Sequence, residues 1–365
     1  MADPVRETER FIRSSGLFGR RRPLLVGRGA TALMLLYEAL GPDGGRVILP
    51  AIGCPSLLAS VLLTGRKPVI VDVDRNLNID PDRVADIIRP NDLVLAVHIF
   101  GIPCDILKLK KICAENGAIL VEDAAQAVGG RIRKRPVGTF GTASIVSFAA
   151  GKILPTHGGG LILIDDDKLF DKLAEKAAAL PKRPDDLAVR SRELRDILTE
   201  AFNEARRDNA RAASRWASVY RDYADIYRYR IEPHETAEIT AALRVLADMP
   251  AGRMRGVAAY RKHLDGAGIE HVEYPAACSP FRFTFILPGL TGTQVQEVTE
   301  AIRMVGMHAS NLYLPLHWLA PEEVEVGPCP RAEQAGTRLI NLWLEDGIPE
   351  RDAERVSSIV RKWTG

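Results

Sequence analysis

LVLAVHIFGIPCDILKLKKICAENGAILVEDAAQ, residues 93–126, is the stretch on which the fold turns. Two short runs in it, Leu93 to Phe100 and Ala118 to Glu122, are apolar nearly throughout, where a sheet with one wet face would alternate apolar and polar residues. A helical pattern separates them. Strand, helix and strand in that order make a crossover unit, and strands of this composition belong to a parallel sheet covered on both faces by helices.

Outward from this unit the same alternation runs from Leu24 to Asp165. Further strands are expected at Pro23 to Val26, Val47 to Pro50, Val69 to Val73, Ser144 to Phe148 and Leu161 to Ile164. The expected class is α/β, a large domain with a mostly parallel central sheet flanked by helices. From Asp165 to about Tyr229 the chain is dense in Ala, Arg, Glu and Asp with apolar residues at helical spacing, which reads as long helices with a solvated, charged face. After Met249-Pro250 come a helix from Arg253 to Leu264, the alternating run FRFTFIL (281–287) and a helix near Gln294 to Val305. Strands around His308 to Tyr313 and Arg338 to Leu344, then a last helix from about Glu350 to Trp363, complete a small C-terminal α+β domain. The division expected is 1–250 for the large domain, with its core at 24–165 and a helical extension at 166–250, and 251–365 for the small one.

Composition narrows the function. Lys and Arg number 49 against 47 Asp and Glu, a formal net charge of +2, so no long-range field directs the protein to nucleic acid or to an anionic membrane surface. Small molecules and copies of itself are the expected partners. Cys54, Cys104, Cys113, Cys278 and Cys329 show no C-x-x-C or Cys/His metal spacing and read as reduced thiols. Met1 to Arg13 lacks the apolar centre of a signal peptide, and no apolar run approaches the roughly 20 residues of a membrane span, so a cytoplasmic location is expected. His98, His157 and His317 match no metal-ligand pattern and no metal is expected. His317, in PLHWL, is retained as a candidate substrate contact.

Three stretches carry chemistry. VEDAAQAVGG (121–130) ends a buried strand, where ligands of open α/β sheets bind, and its carboxylates must be paired or neutralised there. A protonated pyridine nitrogen is one suitable partner for Asp123, and capping the next turn is an equally good use. SIVSFAAGKILPTHGGG (144–160) leaves a strand for a small-residue loop in which Lys152 is the lone cation before three glycines, a nucleophile toward a carbonyl or aldehyde or, in the plainer reading, a surface lysine in a turn. VGRGATALMLLYEAL (26–40) passes from a strand into a helix near Ala30. Unpaired N–H groups there, with Gly29 and the Thr31 hydroxyl, make a plausible phosphate cradle, although a plain strand-to-helix turn would look the same.

Taken together with VHIFGIPCD (97–105), EDAAQ (122–126), VGTFGTASIVSF (137–148) and YLPLHWL (313–319), these stretches resemble the DegT/DnrJ/EryC1/StrS family of pyridoxal-phosphate-dependent sugar aminotransferases of fold type I. The resemblance implies Lys152 as the Schiff-base lysine and Asp123 as the partner of the pyridine nitrogen. It implies Gln126 and Ser147 as cofactor contacts, Ala30 and Thr31 at the phosphate, and Tyr313 and His317 near the substrate. It further implies glutamate or glutamine as amino donor, a keto sugar, often nucleotide-linked, as acceptor, and a homodimer. Three departures stand out: Cys54 where most relatives stack an aromatic ring on the cofactor, His157 and Gly158 in place of a glycine and an acid, and no Asn-Tyr-Arg segment near Glu232 to Thr240. They keep open another reaction at an amine-bearing carbon, or a non-catalytic regulatory homologue. Relatives resembling sugar dehydratases carry histidine in place of the lysine, and Lys152 argues against that outcome.

Overall fold

Every residue of the strands Leu93–Val97, Ala143–Ser147 and Gly160–Ile164 is buried, as two covered faces require. The computed structural model describes residues 3–149, 151–206, 219–344 and 347–365. In chain order its strands are β1 (Arg22–Val26), β2 (Arg46–Pro50), β3 (Lys67–Val71), β4 (Leu93–Val97), β5 (Ile119–Asp123), the hairpin β6 (Arg131–Ile132) and β7 (Arg135–Pro136), β8 (Ala143–Ser147), β9 (Gly160–Ile164), β10 (Glu270–His271), β11 (Arg282–Ile286), β12 (Ala309–Ser310), β13 (Glu325–Val326) and β14 (Leu339–Trp343).

The large sheet has the order β1-β9-β8-β5-β4-β2-β3-β13. From β8 to β13 all neighbours are parallel, while β9 runs antiparallel to both β8 and β1. The chain lays β3 on one side of β2 and β4 on the other, so its direction of growth reverses between β2 and β4. A crevice opens at such a point beyond the carboxyl ends of the strands. The helix Gly29–Ala39 is apolar nearly all round and buries eight of its eleven residues against this sheet, as a core helix does. A second, antiparallel sheet, β10-β11-β14-β12, lies wholly after residue 250. Glu325–Val326 leaves that part of the chain to pair with Val69 and Ile70 at the edge of the large sheet.

Two expectations change on folding. The run Leu93 to Phe100 stops being a strand at Val97 because Phe100 turns to φ 54°, its N–H taken by Gln126 Oε1 at 2.9 Å. The stretch after Asp165 is also less solvated than its charge suggests. It forms helices Asp167–Ala178 and Leu187–Ala205, residues 207–218 lie outside the described residues, and 224–231 return as a short turn and extended segment. That return buries Tyr227, Tyr229 and Ile231 on alternate positions while Arg228 and Arg230 face outward. No helix among the described residues is long and apolar enough to cross a membrane.

Candidate active site

The crevice is a cavity of about 1420 Å³. That exceeds the roughly 300–1,000 Å³ typical of small-ligand pockets and leaves room for a cofactor and a substrate together. Its floor is set by strand ends. Asp123 closes β5, its backbone locked opposite Val97 and Ile145, its carbonyl accepting from His98 N–H at 3.2 Å. Next to it, Glu122 is wholly buried and meets His98 Nε2 at 3.0 Å while accepting from the N–H groups of Gly138 and Phe140. His98 Nδ1 accepts from Cys104 N–H, so the ring carries a proton on Nε2 and donates that N–H to Glu122. The pair braces the floor and leaves Asp123 as the carboxylate facing the cavity.

Asp123 takes one hydrogen bond among the described residues, from Ala125 N–H at 2.8 Å. It closes a turn rather than capping a helix, because residues 125–129 form no helix. Burial pushes its carboxyl above the usual carboxylate range, and the Lys152 ammonium is the largest influence in the other direction. Lys152 follows β8 in a loop closed on itself: Phe148 N–H donates to Gly159 O, and Thr156 N–H and hydroxyl both donate to Phe148 O. The Lys152 amine stands 5.9 Å from the centroid of the Phe281 ring. Both residues line the same cavity.

Gly29 and Ala30 line it as well, at the start of a helix with no side-chain cap, whose first internal bond is Ala32 N–H to Arg28 O. The N–H groups before Ala32 have no partner within the helix. Gly29 has to be glycine, since a Cβ there would come within 2.8 Å of Ser147 Cβ. Ser147, at the end of β8, brings its hydroxyl to the same corner.

Gln126 gives its carbonyl to Phe100 and hydrogen-bonds the Tyr313 side chain, which stacks on Phe100 at 6.2 Å and 13°. Tyr313 reaches the cavity because Leu316 N–H docks on Ala51 O at 2.7 Å, which also brings it beside Cys54.

Two sequence candidates turn away. The Thr31 hydroxyl is fully buried and donates to Tyr227 O at 2.8 Å, leaving only its backbone N–H near the helix start. His317 is off the cavity wall, with Nε2 3.1 Å from Glu333. His157 pairs with Glu238 at 2.8 Å at the mouth, and the buried Glu235 occupies the space a side chain at Gly158 would fill. Carboxylates therefore do reach this corner, from the helix Pro233–Val245.

Sequence reasoning misses Arg28, Tyr227, Phe281, Arg282 and Trp343, all on the cavity wall. The period-two burial of residues 227, 229 and 231 is the one signal that points to Tyr227.

The chain is 27% identical to the GDP-perosamine synthase of Caulobacter vibrioides over 348 residues, 93% of this chain and 84% of that protein. It is 26% identical to the UDP-N-acetyl-3-dehydro-alpha-D-glucosamine 3-aminotransferase of Acidithiobacillus ferrooxidans over 357 residues, 95% of this chain and 86% of the relative. Among solved structures it shares the fold of 3-amino-5-hydroxybenzoic acid synthase, with a TM-score of 0.78 at 21% identity over 99% of this chain and 90% of that one. The model of the DegT/DnrJ/EryC1/StrS aminotransferase family matches residues 15–361. By that match the chain belongs to the DegT/DnrJ/EryC1/StrS aminotransferase family, and it is a pyridoxal-phosphate-dependent aminotransferase.

Proposed function

We propose that this protein moves an amino group from glutamate or glutamine to a nucleotide-linked keto sugar, with Lys152 as the covalent anchor of pyridoxal phosphate and Asp123 as the partner of its ring nitrogen. Both curated relatives bear the names of enzymes of nucleotide-linked sugars. The observation that carries the residue roles is that an amine and a buried, under-bonded carboxylate line one cavity, where the amine's charge acts on the carboxylate.

The residues fit the group. A buried carboxylate with one backbone partner wants a cation or a strong donor, and a protonated pyridine nitrogen is both. An uncapped helix start at Gly29 and Ala30, with the Ser147 hydroxyl beside it, suits a phosphate. Cys54 offers the ring face a small, polarizable neighbour where an aromatic is usual, with Tyr313 close by. Pyridoxal phosphate, when bound, draws electrons from the carbon bearing the amine and so acidifies its C–H bond.

The chain's own residues do the rest. Asp123 holds a proton on the ring nitrogen, and its burial strengthens that bond by excluding water. Lys152 is the residue that would hold the cofactor's aldehyde carbon, and its amine, when free, would be the base that takes the proton from the donor's α-carbon. Gln126, fixed by Phe100 N–H, holds the Tyr313 ring over the substrate side of the cavity. The functional unit is a cytosolic homodimer, in keeping with the family and with five unpaired cysteines.

Borohydride reduction tests the anchor. The wild-type protein loaded with pyridoxal phosphate retains it through denaturation after reduction, and Lys152→Ala does not. Cofactor fixed to the variant chain would assign the anchor to another lysine.

A further inference from the structure

The half-buried Arg46 and Arg183 have carboxylate partners, Asp92 at 3.5 Å and Glu235 at 2.8 Å. The buried Arg21, Arg66 and Arg253 donate to backbone carbonyls and lie off the cavity wall. Arg282 is the buried arginine, among the described residues, that lines the cavity. It is 7% exposed, no carboxylate of the described residues pairs with it, and the ionisable groups that act on it are the Tyr313 phenol, which burial keeps neutral, and another arginine, Arg253. Two of its donors are engaged, with Phe281 O and Gly151 O, each at 3.1 Å. A guanidinium carries five N–H groups, so donors remain for a ligand.

Its setting orients without neutralising. Arg282 in β11 is the direct cross-strand partner of Trp343 in β14. The guanidinium lies 3.7 Å from the Trp343 ring centroid and 3.8 Å from that of Phe281, a slot that fixes the plane of the fork. Burial with no anion at hand holds its pKa down to about 9, far below the ordinary range for arginine. A buried cation left this way is costly unless an anion arrives in use.

Its place identifies that anion. Gly151, which Arg282 grips, precedes Lys152, and the Phe281 ring that flanks Arg282 also faces the Lys152 amine. All line one cavity. We infer that Arg282 is the anchor for the α-carboxylate of the amino-acid donor, an inference that rests on the reading of Lys152 as the reactive amine. An α-carboxylate is one bond from the carbon that bears the reacting nitrogen, so its binder must stand beside Lys152. The diphosphate of a nucleotide-linked acceptor is a sugar ring away from the keto carbon. The planar fork also matches two carboxylate oxygens.

The test is calorimetric titration of the pyridoxal-phosphate-loaded protein with glutarate, which has the donor's carboxylates and no amine, and separately with inorganic pyrophosphate. Arg282→Gln is expected to weaken glutarate by about tenfold or more, the size of a lost charge-assisted bond, with pyrophosphate unchanged. Arg282→Lys, which keeps the charge and loses the fork, falls between. Should Arg282→Gln fail to fold, Arg282→Lys decides alone, a weakening of about threefold or more supporting the anchor. Glutarate affinity unchanged in the folded variants, no glutarate binding by the wild type, or a loss confined to pyrophosphate overturns it. Borohydride fixation of the cofactor, measured on the same samples, reports on Lys152 independently of the glutarate result.

Discussion

The cavity floor and the wall supplied by residues 187–198 and 226–229 are held by different means. On the floor, Asp123 and Ser147 end central strands whose neighbours are paired on both sides, and the bonds of Glu122 and Gln126 brace the turns between them. The wall is held by single cross-links and surface ion pairs, among them Gly27 N–H to Tyr229 O, Arg28 to Ile226 O, Thr31 to Tyr227 O, Arg230 N–H to Pro181 O and the Arg228–Glu38 and Arg190–Asp225 pairs. Groups that must meet reacting atoms gain from the first kind of support, since a small misplacement costs rate, whereas a surface that shapes the acceptor's pocket tolerates the second. A change on the floor should therefore show in turnover, and a change on the wall in stability and local opening.

The largest expected effect is on the floor. Asp123→Asn keeps an oxygen for Ala125 N–H but removes the charge that holds a proton on the ring nitrogen. Turnover should fall by about 10²–10⁴-fold while the cofactor is still bound. Because burial penalises the charged form of Asp123, the cofactor-free variant should melt no lower than the cofactor-free wild type. Steady-state kinetics and thermal melts of the two proteins check both statements, and turnover within a few-fold of wild type would remove Asp123 from the mechanism.

On the wall, Gly27→Ala is the sharper probe. A Cβ at Gly27 would sit inside the Tyr229 side chain, against the carbonyl that Gly27 N–H also bonds. We expect a loss of about 1–3 kcal/mol, as for overpacking elsewhere, through undocking of residues 224–231. Hydrogen exchange should rise there first and leave the amides of β4, β5 and β8 protected. Equal loss of protection in floor and wall would mean that the two regions open as one unit.

The floor is also what the sequence makes legible. Asp123, Ser147 and Lys152 stand at or just beyond the ends of apolar runs, where chain direction alone puts them at one edge of the sheet. Gly29 and Ala30 are readable for the same reason. The wall is not, because the alternation of Tyr227, Tyr229 and Ile231 spans five residues within a charge-rich tract, and arginines between them mask the period. Thr31 and His317 carry suitable groups at suitable motif positions, yet each hydroxyl or ring finds a nearer partner that only the folded chain supplies. Arg282 is plain in FRFTFIL as an arginine in a strand. That Trp343 lies opposite it, and Lys152 beyond the Phe281 ring, depends on register between segments about 60 and 130 residues apart.

The smallest effect tests the floor from behind. Asp74 accepts the N–H groups of Asn76 and Asn78 in a tight turn, and the Asn78 side chain takes Ile99 N–H and donates to Ile102 O, bracing the turn that follows β4. Burial raises the Asp74 carboxyl to a pKa of about 6, more than its two backbone bonds lower it. The folded state then binds a proton more tightly than the unfolded chain, whose carboxyl titrates near the ordinary value of about 3.9. Folding is therefore favoured in acid by this group, and its contribution is lost as pH rises from about 4 to about 6. Asp74→Asn cannot ionise and should remove that slope, gaining about 1–2 kcal/mol over wild type at pH 7 relative to pH 4, with the partial exposure of the group keeping the figure below the full shift. Urea melts of both proteins at the two pH values measure the difference, and parallel profiles would show that folding leaves the Asp74 carboxyl unshifted. Turnover should be unchanged at pH 7, because the group acts on the stability of a brace whose geometry the asparagine preserves.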